Sequence, residues 1–363
     1  MKIALDAMGG DRAPLEIIRG AIEAAREYGV EVLLVGKREE IEPELNWPSA
    51  KGLPIQVVDA SQVIDMDEHP ASAVRQKQDS SLVVGINLLR NGEADAFVSA
   101  GNSGAVVAAS LFSLGRLNDI DRPAIGTLLP VPTGSILLLD AGANTDCEPG
   151  QLLQFARLGS VYMERVMDVD EPRVGLLSNG TEETKGNRLT LEAHRLLKES
   201  GLNFVGNVEG NELARDRADV IVADGFTGNI AIKVTEGVAE MIIEIVNEML
   251  VSKIHRRLAG LMLKGGYREI FSRLHYSQYG GAPLLGVNGV VIIAHGRSNA
   301  RAIKNAIGAA KRAVAGGLIK AMGAGPAPSE EKRERRFRPR RRRGRGGGRR
   351  DGGEAASAGQ SSS

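Results

Sequence analysis

The residues best placed to do chemistry lie where apolar runs break into glycine-rich loops and then open into helical patterns. In the middle of the chain Asp95-Ala-Phe-Val-Ser-Ala-Gly-Asn-Ser-Gly104 leads into Ala105-Val-Val-Ala-Ala-Ser-Leu-Phe. A loop of this kind offers unpaired backbone N–H groups at a helix N-terminus, a setting that favours anions. Ser99, Asn102 and Ser103 add side-chain donors around Gly101, and no acidic residue intrudes between them. Leu5-Asp-Ala-Met-Gly-Gly-Asp11 repeats the pattern with Gly9 and Gly10, and Val222-Ala-Asp-Gly-Phe-Thr-Gly-Asn229 repeats it with Asp224, Gly228 and Asn229. Together the loops predict an α/β enzyme with a phosphate or acyl-type ligand.

Two further stretches suit an anion. Asp67-Glu-His-Pro-Ala-Ser-Ala-Val-Arg-Gln-Lys77 is expected to set Arg75 and Lys77 at the head of a helix beside His69. Ser178-Asn-Gly-Thr-Glu-Glu-Thr-Lys-Gly-Asn187 puts Lys185 in a small-residue loop after a strand. Each residue also has a plainer reading: Lys185 as a solvated lysine, His69 as a turn residue before Pro70, Arg75 and Lys77 as an exposed helix face. Asp6 and Asp140 read better as loop-orienting residues than as acids. His194, between Leu191 and Leu197, reads as a surface helix residue. His295, before Gly296-Arg-Ser-Asn299 at a strand end, is open to a site role that its chemistry alone does not support.

Several signatures are missing: no G-x-x-x-x-G-K-[ST], no H-E-x-x-H, no G-x-S-x-G, and no G-x-G-x-x-G after a strand. The 5 histidines show no metal-ligand spacing, so neither a metal nor another cofactor is expected. The single Cys147 lies between Asp146 and Glu148, whose charges should raise its pKa and make it a poor nucleophile.

Short β-rich runs alternate with helical patterns through the first two-thirds of the chain. Expected strands include 2–6, 32–36, 55–59, 96–99, 135–140, 173–178, 204–208, 219–223 and 290–294. Expected helices include 14–28, 70–90, 103–116, 149–166 and 187–200, with Pro14 and Pro149 where a first turn tolerates proline. Such alternation predicts a doubly wound, largely parallel sheet, in which ligands sit beyond the strands' carboxyl ends. A helical run over 234–263 and an amphipathic piece to about 274 form a predicted protrusion, followed by a glycine-rich loop over 279–286.

With 42% hydrophobic and 25% charged residues, the 363-residue chain is that of an ordinary globular protein. One cysteine excludes an internal disulfide and fits a reducing cytosol, and residues 1–6 read directly into a strand with no secretory signal. The uncharged stretches 96–115 and 278–294 are broken by glycine and polar residues, unlike membrane spans. Residues 329–363 hold 12 of the 46 Lys/Arg and 5 of the 45 Asp/Glu, so the net +1 hides an acidic body with a basic appendix. From 323 onward the Ala/Gly/Pro and Arg/Gly/Ser composition predicts disorder, after one folded region over 1–322.

Taken in order, Ile3–Asp11, Asp95–Gly104, Asp140–Asn144, Leu177–Asn187, Ala223–Lys233 and Gly281–Gly286 resemble the bacterial phosphate acyltransferases of phospholipid synthesis. The resemblance covers roughly residues 1–320. It implies attack of inorganic phosphate on a fatty acyl carrier protein thioester, giving acyl phosphate for phosphatidic acid. It also implies a homodimer with a fold similar to isocitrate and isopropylmalate dehydrogenases and to phosphotransacetylases. The family is associated with peripheral membrane attachment, so the expected location is cytoplasmic with contact to the membrane and to a membrane glycerol-3-phosphate acyltransferase. Phosphate is itself the nucleophile in this chemistry. The site need only hold a dianion near a thioester carbonyl and stabilise an oxyanion, for which Asn229 or Asn102 offers an amide donor.

Leu258, Leu261 and Met262 share a helical face fringed by Arg256 and Arg257, open to dimer packing, membrane contact or docking of the acidic carrier. The Arg-rich tail departs from the family pattern and suits anionic lipid or nucleic acid. Two other classes of function stand beside the acyltransferase: a hydride-transferring dehydrogenase of related fold, for which no dinucleotide signature is present, and a polyanion-binding protein acting through its tail.

Overall fold

Side chains that alternate along each strand decide which face of the sheet they bury. Ile3 and Leu5 pack into one core while Ala4 joins another, and Val98 and Phe97 divide the same way. The computed structural model describes residues 1–48, 50–252 and 280–323. Within them run β1 (Lys2–Asp6), α1 (Leu15–Tyr28), β2 (Glu31–Gly36), α2 (Arg38–Leu45), β3 (Ile55–Asp59), α3 (Pro70–Gln76), α4 (Ser81–Arg90), β4 (Ala96–Ser99) and α5 (Ser103–Ser113). There follow β5 (Ala124–Val131), β6 (Gly134–Leu139), α6 (Pro149–Val166), β7 (Val174–Ser178), α7 (Arg188–Lys198), β8 (Phe204–Glu209), β9 (Val220–Val222) and α8 (Gly225–Val251). The last elements are β10 (Ala282–Leu285), β11 (Val290–Ile293), α9 (Ala300–Ala315) and α10 (Leu318–Gly323).

The strands form one 11-stranded sheet in the order β3-β2-β1-β4-β11-β10-β5-β6-β9-β7-β8. β3, β2, β1, β4 and β11 are mutually parallel, as are β6, β9, β7 and β8. Between the blocks β10 is antiparallel to β11 and β5, and β5 is antiparallel to β6. The two parallel blocks therefore run in opposite directions. The expected largely parallel α/β architecture holds, with this antiparallel seam as its refinement. The glycine-rich loop expected over 279–286 holds strand β10, and β5 was not foreseen, because Pro130 and Pro283 obscure their periodicity.

Helices cover both faces. α1, α6 and α9 bury Ile17, Phe155 and Ile303 in one core. On the other face α4 and α5 cover the first block, and Ile232 of α8 helps cover the second. Phe97 is fully buried and lies so close to Gly85 that a Cβ there would stand 2.4 Å from its ring. Burying a side chain of that size stabilises the fold by about 1.5–3 kcal/mol.

The helix expected over 70–90 is two helices. α3 ends at Gln76, and Ser80 starts α4 by accepting from Val83 N–H. The helix expected from 234 instead begins at Gly225, so α8 is 27 residues long and rises roughly 40 Å. Phe226, Ile230, Val234, Val238, Met241, Ile242, Ile245 and Met249, spaced at helical intervals, leave an apolar stripe at least 45% exposed along it. Leu258, Leu261, Met262, Arg256, Arg257 and the Arg-rich tail lie outside the described residues.

Candidate active site

The start of α8 is seated by close backbone contact. Asp224 caps the helix, its carboxylate accepting from Thr227 N–H at 2.9 Å and from the Thr227 hydroxyl at 2.7 Å. Gly225 N–H donates to the Asn144 carbonyl at 2.7 Å. A Cβ on Gly228 would lie 2.0 Å from the Asp140 carbonyl oxygen, so this turn of helix can settle there only as glycine. Beneath it, buried Asp140 accepts from the backbone N–H of Ile125, Gly142, Ala143 and Asn144 and from the Asn144 amide, at 2.7–3.2 Å. Burial pushes its carboxyl above the ordinary carboxylate range, and the bonds from Ile125, Ala143 and Asn144 only partly oppose that. Asp140 thus shapes the loop, as its sequence position suggested. One turn into α8, Asn229 faces Gly142, where φ is +137° and a Cβ would stand 3.5 Å from the Asn229 amide nitrogen.

Asn229 opens onto a cleft of about 700 Å³. Asn229, Lys233 and Glu240 of α8 line it, together with His295, Arg297 and Ser298 from the segment between β11 and α9. Ser103 of α5 lies at its edge, and Ile125, Leu128 and Ile293 give it apolar surface. Arg297 Nη2 stands 3.5 Å from Glu240 Oε1, and Arg297 N–H donates to His295 Nδ1 at 3.1 Å. Ser298 is 2% exposed, and its hydroxyl has no hydrogen-bond partner among the described residues. Asp11 N–H holds the Gly296 carbonyl at 2.8 Å, so the first glycine loop braces this segment.

The first two glycine loops brace each other more than they face a ligand. A Cβ on Gly9 would stand 2.7 Å from Gly101 N, and Gly10, at φ +104°, packs on the Gly296 and Ala100 carbonyls. Ser99 is buried; its hydroxyl donates to Asp6 at 2.7 Å and accepts from Gly101 N–H at 3.0 Å. Asn102 caps α5 through Ala105 N–H and donates to the carbonyls of Asp65, Met66 and Glu68. Its amide is therefore engaged within the fold. Of this loop's side chains Ser103 lines the cleft.

The loop held by Asn102 carries His69, exposed at the N-cap of α3 with no side-chain capping bond. Arg75 and Lys77 stand at the C-terminal end of α3, not at the head of a helix, because the chain turns between α3 and α4. Arg75 lies 5.1 Å over the Phe112 ring, and Lys77 donates to Glu68 and to the Val63 carbonyl. That pairing holds the Glu68 carboxyl below its ordinary range.

Lys185 is exposed, and among the described residues its ammonium has no ion-pair partner. Its N–H donates to the Glu182 carbonyl at 3.0 Å, and Ser178 Oγ donates to its carbonyl at 3.3 Å. Its neighbours Gly186 and Asn187 line a second recess, about 430 Å³, with Ser178, Asp224 and Thr227. That recess meets α8 at Thr227, Ile230 and Ala231, whereas the larger cleft meets it at Asn229, Lys233 and Glu236. At 3.6 residues per turn these are opposite faces of the helix. Asp224 and the neighbours of Lys185 thus border one recess, and Asn229 the other.

Cys147 is half-buried, and its thiol is pushed up to about 11. The direction is as expected but the cause is not: burial leads, and the contributing carboxylates are Asp140 and Asp224, brought close by the fold. His194 proves buried, correcting its reading as a surface residue. Lys233, Glu240, Arg297 and Ser298 were not singled out from sequence. The one available signal was the polar run after an apolar strand at His295–Asn299.

The model of the fatty acid synthesis protein family matches residues 1–321. The phosphate acyltransferase of Desulforamulus reducens is 52% identical over 324 residues, covering 89% of this chain and 96% of that protein. That of Pelotomaculum thermopropionicum is 50% identical over 320 residues, covering 88% and 93%. Among solved structures, a phosphotransacetylase from Streptococcus pyogenes matches with TM-score 0.55 at 17% identity, covering 89% of this chain and 94% of that one. A branched-chain phosphotransacylase from Enterococcus faecalis matches with TM-score 0.56 at 14% identity, covering 86% and 99%. The structural likenesses show the fold, and the sequence matches show the family: the chain belongs to the phosphate acyltransferases. It is an acyltransferase, which decides against the dehydrogenase reading of the same fold.

Proposed function

We propose that the protein moves a fatty acyl group from the thioester of an acyl carrier protein to inorganic phosphate, supplying acyl phosphate for phosphatidic acid synthesis. The observation that carries this reading is the cleft beside Asn229, where an amide donor and the cations Lys233 and Arg297 border one partly apolar space. A phosphate oxygen attacks the thioester carbonyl carbon, and the carbonyl oxygen takes up negative charge. The Asn229 amide donates to that oxygen in this proposal, a role in which one donor contributes roughly 10²–10³-fold to turnover. The carbon–sulfur bond then breaks, and the thiolate takes the proton of hydrogen phosphate. No enzyme nucleophile is needed, in keeping with the high pKa of Cys147.

A homodimer belongs to the same proposal, supported by the exposed apolar stripe of α8, as does peripheral contact with a membrane and its glycerol-3-phosphate acyltransferase. Among the described residues no helix is long and apolar enough to cross a membrane. Purified protein incubated with acyl carrier protein thioester and phosphate should form acyl phosphate, detected by mass spectrometry, in proportion to phosphate and without added nicotinamide. Acyl phosphate formed only from another acyl donor would overturn the carrier assignment.

A further inference from the structure

The His295–Ser298 lining of the cleft is incomplete in a way that describes a ligand. Ser298 buries a hydroxyl that no described residue satisfies, although buried polar groups are nearly always hydrogen-bonded. Next to it Arg297 is paired with Glu240 at 3.5 Å, through side chains 57% and 60% exposed. So exposed a pair is weak and easily exchanged. Lys233, also exposed, lines the cleft from α8, and Ser103 adds a hydroxyl. A guanidinium, an ammonium and two hydroxyls around a cleft suit a tetrahedral oxyanion, which the planar guanidinium can hold through two parallel N–H donors.

We infer that Arg297, Ser298 and Lys233 bind the attacking inorganic phosphate, and that Glu240 is its built-in competitor. With the cleft empty of anion, Glu240 neutralises Arg297; when phosphate enters, its greater charge draws Arg297 away. The inference rests on the phosphate acyltransferase reading and assigns the nucleophile's side of that site. It sets the phosphate away from the recess bordered by the Lys185 loop.

The test is phosphate binding and phosphate KM for the full chain, with the acyl donor saturating. Arg297→Gln should weaken inorganic phosphate binding and raise its KM roughly tenfold or more. Glu240→Gln should shift both the opposite way, because it frees Arg297. Thermal unfolding of both variants should match the parent, since both side chains lie at the surface. A pair that merely clasped the cleft would move both variants in the same direction, which overturns the inference. It is also overturned if Arg297→Gln raises the KM of the acyl donor and not of phosphate, or if Lys185→Ala raises the phosphate KM and Arg297→Gln does not. A parent enzyme that forms no acyl phosphate at all would instead defeat the reading beneath it.

Discussion

The side-chain carbonyl of Asn207 accepts from His194 Nδ1 at 2.8 Å, and both side chains are buried below the Lys185 loop. The Asn207 amide nitrogen donates to the Glu182 carbonyl at 2.9 Å, which fixes the amide's orientation and hence the hydrogen on Nδ1. The same carbonyl accepts from Lys185 N–H, so a strand residue and a helix histidine together hold the turn that presents Lys185. Asn207→Ala should leave the imidazole N–H unpaired in a buried place and cost about 1–3 kcal/mol in denaturant unfolding. Unchanged stability would show that the loop is held by other contacts.

Asn229→Ala should lower turnover by about 10²–10³-fold while leaving affinity for the acyl donor largely intact. The side chain is exposed at the cleft, so the melting temperature should hold. Activity lost in proportion to stability would mark Asn229 as a packing residue.

Gly228→Ala should be far more damaging than its size suggests. The added methyl would meet the Asp140 carbonyl at 2.0 Å, so the first turn of α8 must lift from its seat. Overpacking of this kind typically costs about 1–3 kcal/mol. The shift should carry Asn229 with it, lowering turnover in protein that still folds; turnover equal to the parent's would show that the seat does not position the amide.

Asp6 gives a pH signature. Burial raises its pKa above 3.8, outweighing the hydrogen bonds it accepts. The folded state then holds this proton more tightly than the unfolded one. Its contribution is complete below the unfolded pKa and is lost as pH rises through the folded one. Asp6→Asn removes the titration, so the variant's unfolding free energy relative to the parent should climb as pH rises from about 4 and then level off. A difference that stays flat with pH would contradict the raised pKa.

Removal of residues 323–363, with 12 basic side chains, should leave acyl phosphate synthesis unchanged in dilute assay. It should weaken binding to anionic liposomes or RNA at low salt, and the difference should fade toward about 1 M salt, where charges are screened within about 3 Å. Loss of catalysis on truncation would give the tail a role in the site.

Much of the fold was legible because strand and helix periodicity, Pro14 and Pro149 at helix starts, and glycines at strand ends are local signals. The same locality explains what sequence missed. Nothing near Pro283 or Pro130 in the chain announces that β10 pairs antiparallel with both β11 and β5, or that β5 pairs antiparallel with β6 and so reverses the second half of the sheet. Asn102 and Asn229 look alike as loop amides. Only the fold spends the first on three carbonyls of the 65–68 turn and leaves the second facing a cleft. Arg297 and Glu240 are 57 positions apart, yet they meet at 3.5 Å, while Asn229 and Asn187, only 42 apart, border different recesses. Residue type and spacing determined which groups this chain has for handling an anion and a carbonyl. Long-range packing decided which of them share a space, because the direction of a strand and the face of a helix are settled by what they bury against.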